Sequence, residues 1–140
     1  MSQDSEKVLN VNQMFYDALQ TGRLDLMEEV WVKEQRAKCI HPGWPMLFGW
    51  ETIRQSWKNI FDSGGPTKIK LSNVTVEITG DLAWVTCIEH ISHLIRNQIQ
   101  ISMAQATNIF ERRGLLWLMI HHHASPMPSP RGRVGDEKLQ

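Results

Sequence analysis

Cysteine, tyrosine and net charge are all scarce in this chain. Two cysteines, Cys39 and Cys87, are too few for a disulfide framework. Both stand in apolar, strand-like surroundings, where a free thiol behaves as a small hydrophobe. Lys and Arg together number 15, as do Asp and Glu, so the formal charge is zero with neutral histidines. No stretch gathers Lys and Arg on one face, which excludes the electrostatic footprint of a nucleic-acid binder. Arg131 and Arg133 come nearest to one, in a terminal segment that reads as a solvated tail. No apolar run approaches the ~20 residues that span a bilayer. The opening stretch MSQDSEKVLN has neither the apolar centre nor the cleavage site of a secretory signal. A cytoplasmic, reducing setting is expected. No nucleophile elbow, phosphate loop or complete metal-ligand set is present, so no cofactor and no metal are expected.

What is there is 140 residues, enough for one domain with a real core. The stretch SEKVLNVNQMFYDALQTG places Val8, Val11, Phe15, Ala18 and Leu19 at helical spacing, with Ser5 as N-cap and Gly22 as the stop. A second, shorter helix is expected over about Asp25 to Val32. AKCI reads as a short strand, and HPGWP, with two prolines and a glycine, forces a turn. Ile53, Trp57, Ile60 and Phe61 then give a third helix an apolar face, ended by Gly64-Gly65-Pro66.

From Thr67 the apolar period changes to two. Ile69 and Leu71 alternate in one parity and Val74, Val76 and Ile78 in the other, which predicts a bulge between them. Gly80-Asp81, the RNQ triplet and Gly114 mark turns between four long strands, the last being LLWLMIHHHAS. Helices first and a strand meander afterwards predict an α+β fold, helices packed on one face of a strongly curved antiparallel sheet, with a cavity between. The domain is expected over 1–126, with 127–140 as a flexible tail.

Four stretches carry a family resemblance: FYDALQTGRLDLMEEVW, HPGWPMLFGWETIRQSW, ATNIFERRG and WLMIHHHASP. In order and spacing, over about residues 7–126, they resemble the SnoaL-like branch of the nuclear transport factor 2-like superfamily. The chain is also similar to the association domain of calcium/calmodulin-dependent kinase II, at FYDAL and at the closing Trp-to-His strand. The resemblance implies a cone-shaped fold, an open-ended pocket, and homodimers through the outer face of the sheet. It implies no single reaction, because isomerases, cyclases, dehydratases, transport factors and assembly domains share the fold. The ketosteroid-isomerase pattern needs a Tyr and paired Asp in the pocket, and no Asp falls on a pocket-facing strand position here. The kinase domain has pocket arginines at the positions matching Glu89, Asn108 and Ala124, none of which is Arg in this chain, so its ligand preference must differ.

Strand alternation divides the three consecutive histidines between two faces. His121 and His123 fall together, with Trp117 and Met119 in the same parity; His122 falls opposite, with Leu118, Ile120 and Ala124. The kinase-domain comparison puts Ala124, and hence His122, in the pocket, together with Glu89 and Asn108. That trio suits a small-molecule site. Glu89 beside His122 would orient its tautomer and strengthen it as a general base, and Asn108 would hold a carbonyl or oxyanion. A satisfied buried hydrogen-bond network without catalysis is the competing reading. His41 is expected at the pocket mouth or wall, against a loop histidine bonded to backbone. Tyr16 either offers its hydroxyl inward or is a core tyrosine with a wet tip. Trp44, Trp50 and Trp57 are expected to wall the cavity. The outer face, with Trp84, Ile88, Trp117 and Met119, is too apolar to stay exposed and predicts a dimer interface. A non-catalytic dimerisation or interaction module is the alternative function. A deep cavity with polar groups pointing in would favour the small-molecule site; a filled one would favour the module.

Overall fold

A computed structural model describes residues 2–64 and 67–128 of the chain. Three helices, α1 (Gln3–Thr21), α2 (Leu24–Val30) and α3 (Trp50–Ser63), alternate in part with six strands. The strands are β1 (Lys38–Ile40), β2 (Leu47–Phe48), β3 (Thr67–Thr79), β4 (Leu82–Ile95), β5 (Gln98–Arg113) and β6 (Leu116–Met127). They form one open sheet in the order β2-β1-β6-β5-β4-β3. The α+β class therefore stands. The sheet is mixed rather than wholly antiparallel, because β1 runs parallel to β6 and pairs Cys39 with His122. The two-residue β2 is too short for an alternating pattern to show in the sequence.

The helices cover one face of the sheet. Val8, Asn12, Phe15, Tyr16 and Ala18 of α1 are buried, and the helix lies across β3, β4 and β6. Ser2, not Ser5, caps α1; its hydroxyl oxygen accepts the Ser5 backbone N–H at 3.1 Å. Gly22 closes the helix in the left-handed conformation at φ 66°, where a β-carbon would be strained. The helix α2 stops at Val30, two residues earlier than its pattern predicts. Trp31 is instead extended and bridges to Met119 of β6, so tertiary pairing overrides local preference. Arg112 of β5 forms a two-pronged ion pair with Asp4, fastening the start of α1 to the sheet. Among the described residues no helix is long and apolar enough to cross a membrane.

Two bulges control which side chains face the helices. The predicted irregularity in β3 lies between Ser72 and Thr75, where Asn73 adopts φ 53°. A second, unpredicted one lies in β6: Phe110 pairs with Met119 while Ile109 pairs with His121, leaving Ile120 as the extra residue. This single insertion reverses the parity of the strand. Trp117 and Met119 point into the core before it, and His122 and Ala124 point into the core after it. The expectation that Trp117 and Met119 share the outer face with His121 and His123 is thus wrong. So is the placing of Leu118 and Ile120 on the inner face with His122. Simple alternation fails wherever a bulge intervenes. β6 also continues through Pro126 to Met127, past the expected end of the domain. Pro126 fits because β1 has already ended opposite His123, so no neighbour on that side needs its missing N–H. The rest of the expected tail, 129–140, lies outside the described residues.

The parity reversal has a measurable consequence. Met119→Ala should destabilise the protein by roughly 2–5 kcal/mol in urea unfolding, the usual cost of emptying a buried Met site. His121→Ala, two residues away, should cost less than about 1 kcal/mol. Equal effects would mean that the two residues share a face.

Candidate functional site

Burial of polar groups marks the site. Asn12, His41, Ser56, Glu89, Asn108 and His122 are the buried polar or charged residues among those described. Such groups are tolerated only when hydrogen-bonded, and their bonds form two connected sets.

The larger set joins α1 to the middle of the sheet. The Asn108 amide nitrogen donates to Asn12 Oδ1 at 2.8 Å and to the Tyr16 hydroxyl oxygen at 3.1 Å. The Tyr16 hydroxyl in turn donates to Glu89 Oε2 at 2.6 Å. The remaining amide atom, Asn108 Oδ1, lies 2.6 Å from His122 Nδ1. A carbonyl oxygen can only accept, so Nδ1 carries the proton and Nε2 of His122 is left as an acceptor. The three residues expected to face inward, Glu89, Asn108 and His122, therefore do so. Glu89 is connected to His122 through Tyr16 and Asn108, however, and not by the direct pairing expected. Tyr16 is buried, so it is a link in the network and not a core tyrosine with a wet tip.

The smaller set lies on α3 and β1. Ser56 donates its hydroxyl to the Ile53 carbonyl at 2.6 Å, so its oxygen accepts from His41 Nε2 at 2.9 Å. His41 Nδ1 is then the acceptor nitrogen, with Cys39 Sγ 3.9 Å away. His41 is thus bonded to a side chain rather than to backbone. Its ring packs edge-on against Trp44 and Trp57, at 4.7 and 4.5 Å between centroids.

Between α1, α3 and the sheet is a cavity of about 590 Å³. Leu19, Trp44, Trp57, Ile60, Phe61, Ile69 and Ile91 supply its apolar wall, and Gln20, Thr21, His93 and Ser102 add polar groups. Three of the fully buried polar residues line it: His41, Glu89 and His122. Asn108 and Tyr16, both expected as ligand-binding residues, stand behind them and are not part of the cavity lining. Trp44 is 44 % exposed, Trp57 is buried, and both line the cavity as expected. Trp50 is buried but packs beside Trp31, away from this wall. The sealed side-chain polar atoms without a partner, among the described residues, are the indole nitrogens of Trp31 and Trp57. Among the described residues no hydrogen bond to His122 Nε2 or Glu89 Oε1 is formed, and both residues line the cavity.

Burial sets the charge states. Desolvation raises the Glu89 carboxyl to about 7, against the pull of the Tyr16 hydroxyl. Desolvation also lowers His41 to about 4 and holds His122 well below the usual imidazole range. Both imidazoles are therefore neutral near pH 7, and Glu89 is the group that changes charge there.

Asn12 and Ser56 were not anticipated. The available signal was a polar residue inside an apolar helical stripe: Asn12 falls between Val8 and Tyr16, and Ser56 between Ile53 and Ile60. On the outer face, His121 and His123 lie 6.4 Å apart by ring centroids. Among the described residues no group of His, Cys, Asp or Glu is arranged to hold a metal ion.

A family model described as a SnoaL-like domain matches residues 8–130. An F-box protein of Arabidopsis thaliana, SKIP8, is 28% identical over 120 residues, which is 86% of this chain and 49% of the relative. The chain thus spans about half the length of that curated relative. Among solved structures, a candidate dehydratase of the NTF2-like family from Streptomyces avermitilis superposes with a TM-score of 0.83 at 31% identity, covering 90% of this chain and 97% of its own. A candidate calcium/calmodulin-dependent protein kinase type II association domain from Thiobacillus denitrificans gives 0.76 at 26% identity, covering 84% and 92%.

The raised Glu89 value predicts a pH signature. The folded state holds a proton on Glu89 between about 4.5 and 7, where the unfolded chain has lost it. Wild type should therefore lose stability relative to Glu89→Gln as pH rises through that window, by a few kcal/mol, and the difference should level off above it. Urea unfolding of both proteins at pH 4.5, 6 and 8 checks this; the histidine contributions cancel in the comparison. A difference that does not change with pH would contradict it.

Proposed function

The chain belongs to the SnoaL-like domain family, and we propose that it binds a small, partly apolar molecule with which Glu89 exchanges a proton. The observation that carries this reading is the cavity of about 590 Å³ whose fully buried polar lining is Glu89, His122 and His41. The volume suits a molecule of metabolite size, and the mixture of apolar wall and few inward polar groups is that of a ligand site. A filled interior would have favoured the interaction module instead.

The proposed roles follow from the charge states. A carboxyl held near 7 can give or take a proton at neutral pH with little penalty, which is what a general acid–base group needs. His122, neutral and fixed by Asn108, offers Nε2 to the bound molecule. Tyr16 and Asn108 act as positioning residues, since both touch Glu89 or His122 from behind. The likeness to a candidate dehydratase fits this scheme, because elimination of water needs a group that moves protons. This assigns to Glu89 the part first expected of His122.

Native mass spectrometry of freshly purified protein tests the reading. A retained small molecule is expected in the wild type. Ile91→Trp, which fills the cavity from β4, should remove it without unfolding the protein. A wild type that carries nothing, and gains nothing from a metabolite extract, would overturn the proposal.

A second reading, self-association through the outer sheet face, rests on that surface. Trp84 is 37% exposed there and pairs with Ile109, Ile88 and Met103 follow along the same face, and Ile99 and Ile101 are 62% and 50% exposed farther along β5. Such a patch is unusual on a monomer. Trp84→Lys should convert a dimer, seen as twice 16.2 kDa, into a single subunit. A wild type already monomeric at micromolar concentration would contradict this.

A further inference from the structure

The fully buried polar lining of the cavity, His41, Glu89 and His122, contains no permanent cation. Among the described residues, no Lys or Arg lines it. Of the two buried imidazoles that line it, His122 commits its proton to Asn108 Oδ1 and keeps Nε2 as an acceptor, and His41 commits its proton to Ser56 Oγ with its Nδ1 beside Cys39 Sγ. Glu89 adds a carboxylate oxygen, Oε1, beyond the one that Tyr16 already occupies. The buried donors nearby are all turned away. The Asn108 amide is spent on Asn12 and Tyr16, the Tyr16 hydroxyl on Glu89, and the Trp57 indole nitrogen is sealed from the cavity.

Glu89 has a further peculiarity. It is buried with no Lys or Arg beside it among the described residues; its hydrogen-bond partner there is the Tyr16 hydroxyl and, through it, an amide. A buried carboxylate without a counter-charge is costly, and a cation delivered to it is correspondingly well held. The walls on either side are aromatic: Trp44, Trp57 and Phe61 line the same cavity, and aromatic faces attract organic cations.

We infer that the occupant is an amphiphilic amine, with an apolar body against Trp44, Trp57 and Phe61 and an ammonium group that donates hydrogen bonds to Glu89 and to the acceptor nitrogen of His122. This rests on the reading of the cavity as a small-molecule site and names the chemistry of its ligand. A carboxylate or phosphate would bring a second negative charge to Glu89, with no Lys or Arg among the described lining residues to offset it. An alcohol could donate one hydrogen bond but would leave Glu89 without a counter-charge. The proton balance is definite: the amine enters as its ammonium form, forms an ion pair with Glu89, and the proton displaced from Glu89 passes to solvent.

Three probes of one shape and different polar ends test this: tryptamine, tryptophol and indole-3-acetate, titrated into the full chain by calorimetry at pH 6.5. Tryptamine should bind at least about tenfold tighter than tryptophol, a difference of about 1.4 kcal/mol, and indole-3-acetate should not bind. Repeating the tryptamine titration in buffers of different ionisation enthalpy should show a fraction of a proton released, as expected for a carboxyl near 7. Glu89→Gln should weaken tryptamine about tenfold or more and remove the proton release, while tryptophol binding stays within about threefold. Its thermal unfolding serves as the folding control. If tryptophol or indole-3-acetate binds as tightly as tryptamine, the amine inference is overturned and the small-molecule site stands. If none of the three binds while native mass spectrometry shows a retained molecule, the inference also falls alone. If none binds and no molecule is retained, both fall.

Discussion

One side-chain amide, that of Asn108, sets the state of the whole interior. Its nitrogen is bonded to Asn12 and Tyr16 of α1, and its oxygen to His122 of β6. These bonds fix three things together. They hold the middle of α1 on the sheet through two buried polar contacts. They fix the imidazole proton of His122 on the side away from the cavity. They also leave the Tyr16 hydroxyl with only its proton to give, which it gives to Glu89. Networks of this kind are costly when half-satisfied and specifying when complete. Here the side-chain amides of Asn12 and Asn108 and the Tyr16 hydroxyl are matched to one another, to Glu89 and to His122 behind the cavity wall.

That matching explains why a carboxyl, two imidazoles and several aromatic rings can share one interior. Each imidazole stays neutral because burial penalises its cation and its proton already has an acceptor. Glu89 is the group that burial leaves near the point of changing charge. Among the described residues no Lys or Arg lines the cavity, and ion pairs such as Arg112 with Asp4 and Arg113 with Glu34 are made by residues outside its lining. The result is a site rich in acceptors, backed by a rigid polar layer, which is the arrangement pre-organisation requires.

Much of this was legible in the sequence, and the failures have specific causes. The inward positions of Glu89 and Asn108 followed from strand alternation and the family resemblance, since β4 and β5 pair without a break from Leu82 to Gln98. The bulge in β3 showed itself because two apolar parities meet around Asn73. The bulge at Ile120 did not, because every residue from Leu115 to Ile120 is apolar and a change of parity leaves no trace in such a run. Trp117 and Met119 were misplaced for that reason, whereas His122 was placed correctly because its position was judged from the far side of the bulge. The indirect link from Glu89 to His122 was not legible either. It depends on Tyr16 and Asn12 arriving from a helix some ninety positions away in sequence from Asn108, and no local pattern encodes such a meeting.

The account turns on Glu89 being a buried carboxyl without a counter-ion, poised near neutrality. Carbon-13 NMR titration of the glutamate side-chain carboxyls, with Glu89 assigned by comparison with Glu89→Gln, reads this directly. The account predicts one carboxyl with a midpoint near 7, well apart from the solvent-exposed glutamates and shifted downward when tryptamine is added. A Glu89 midpoint in the ordinary carboxylate range in the free protein would contradict it.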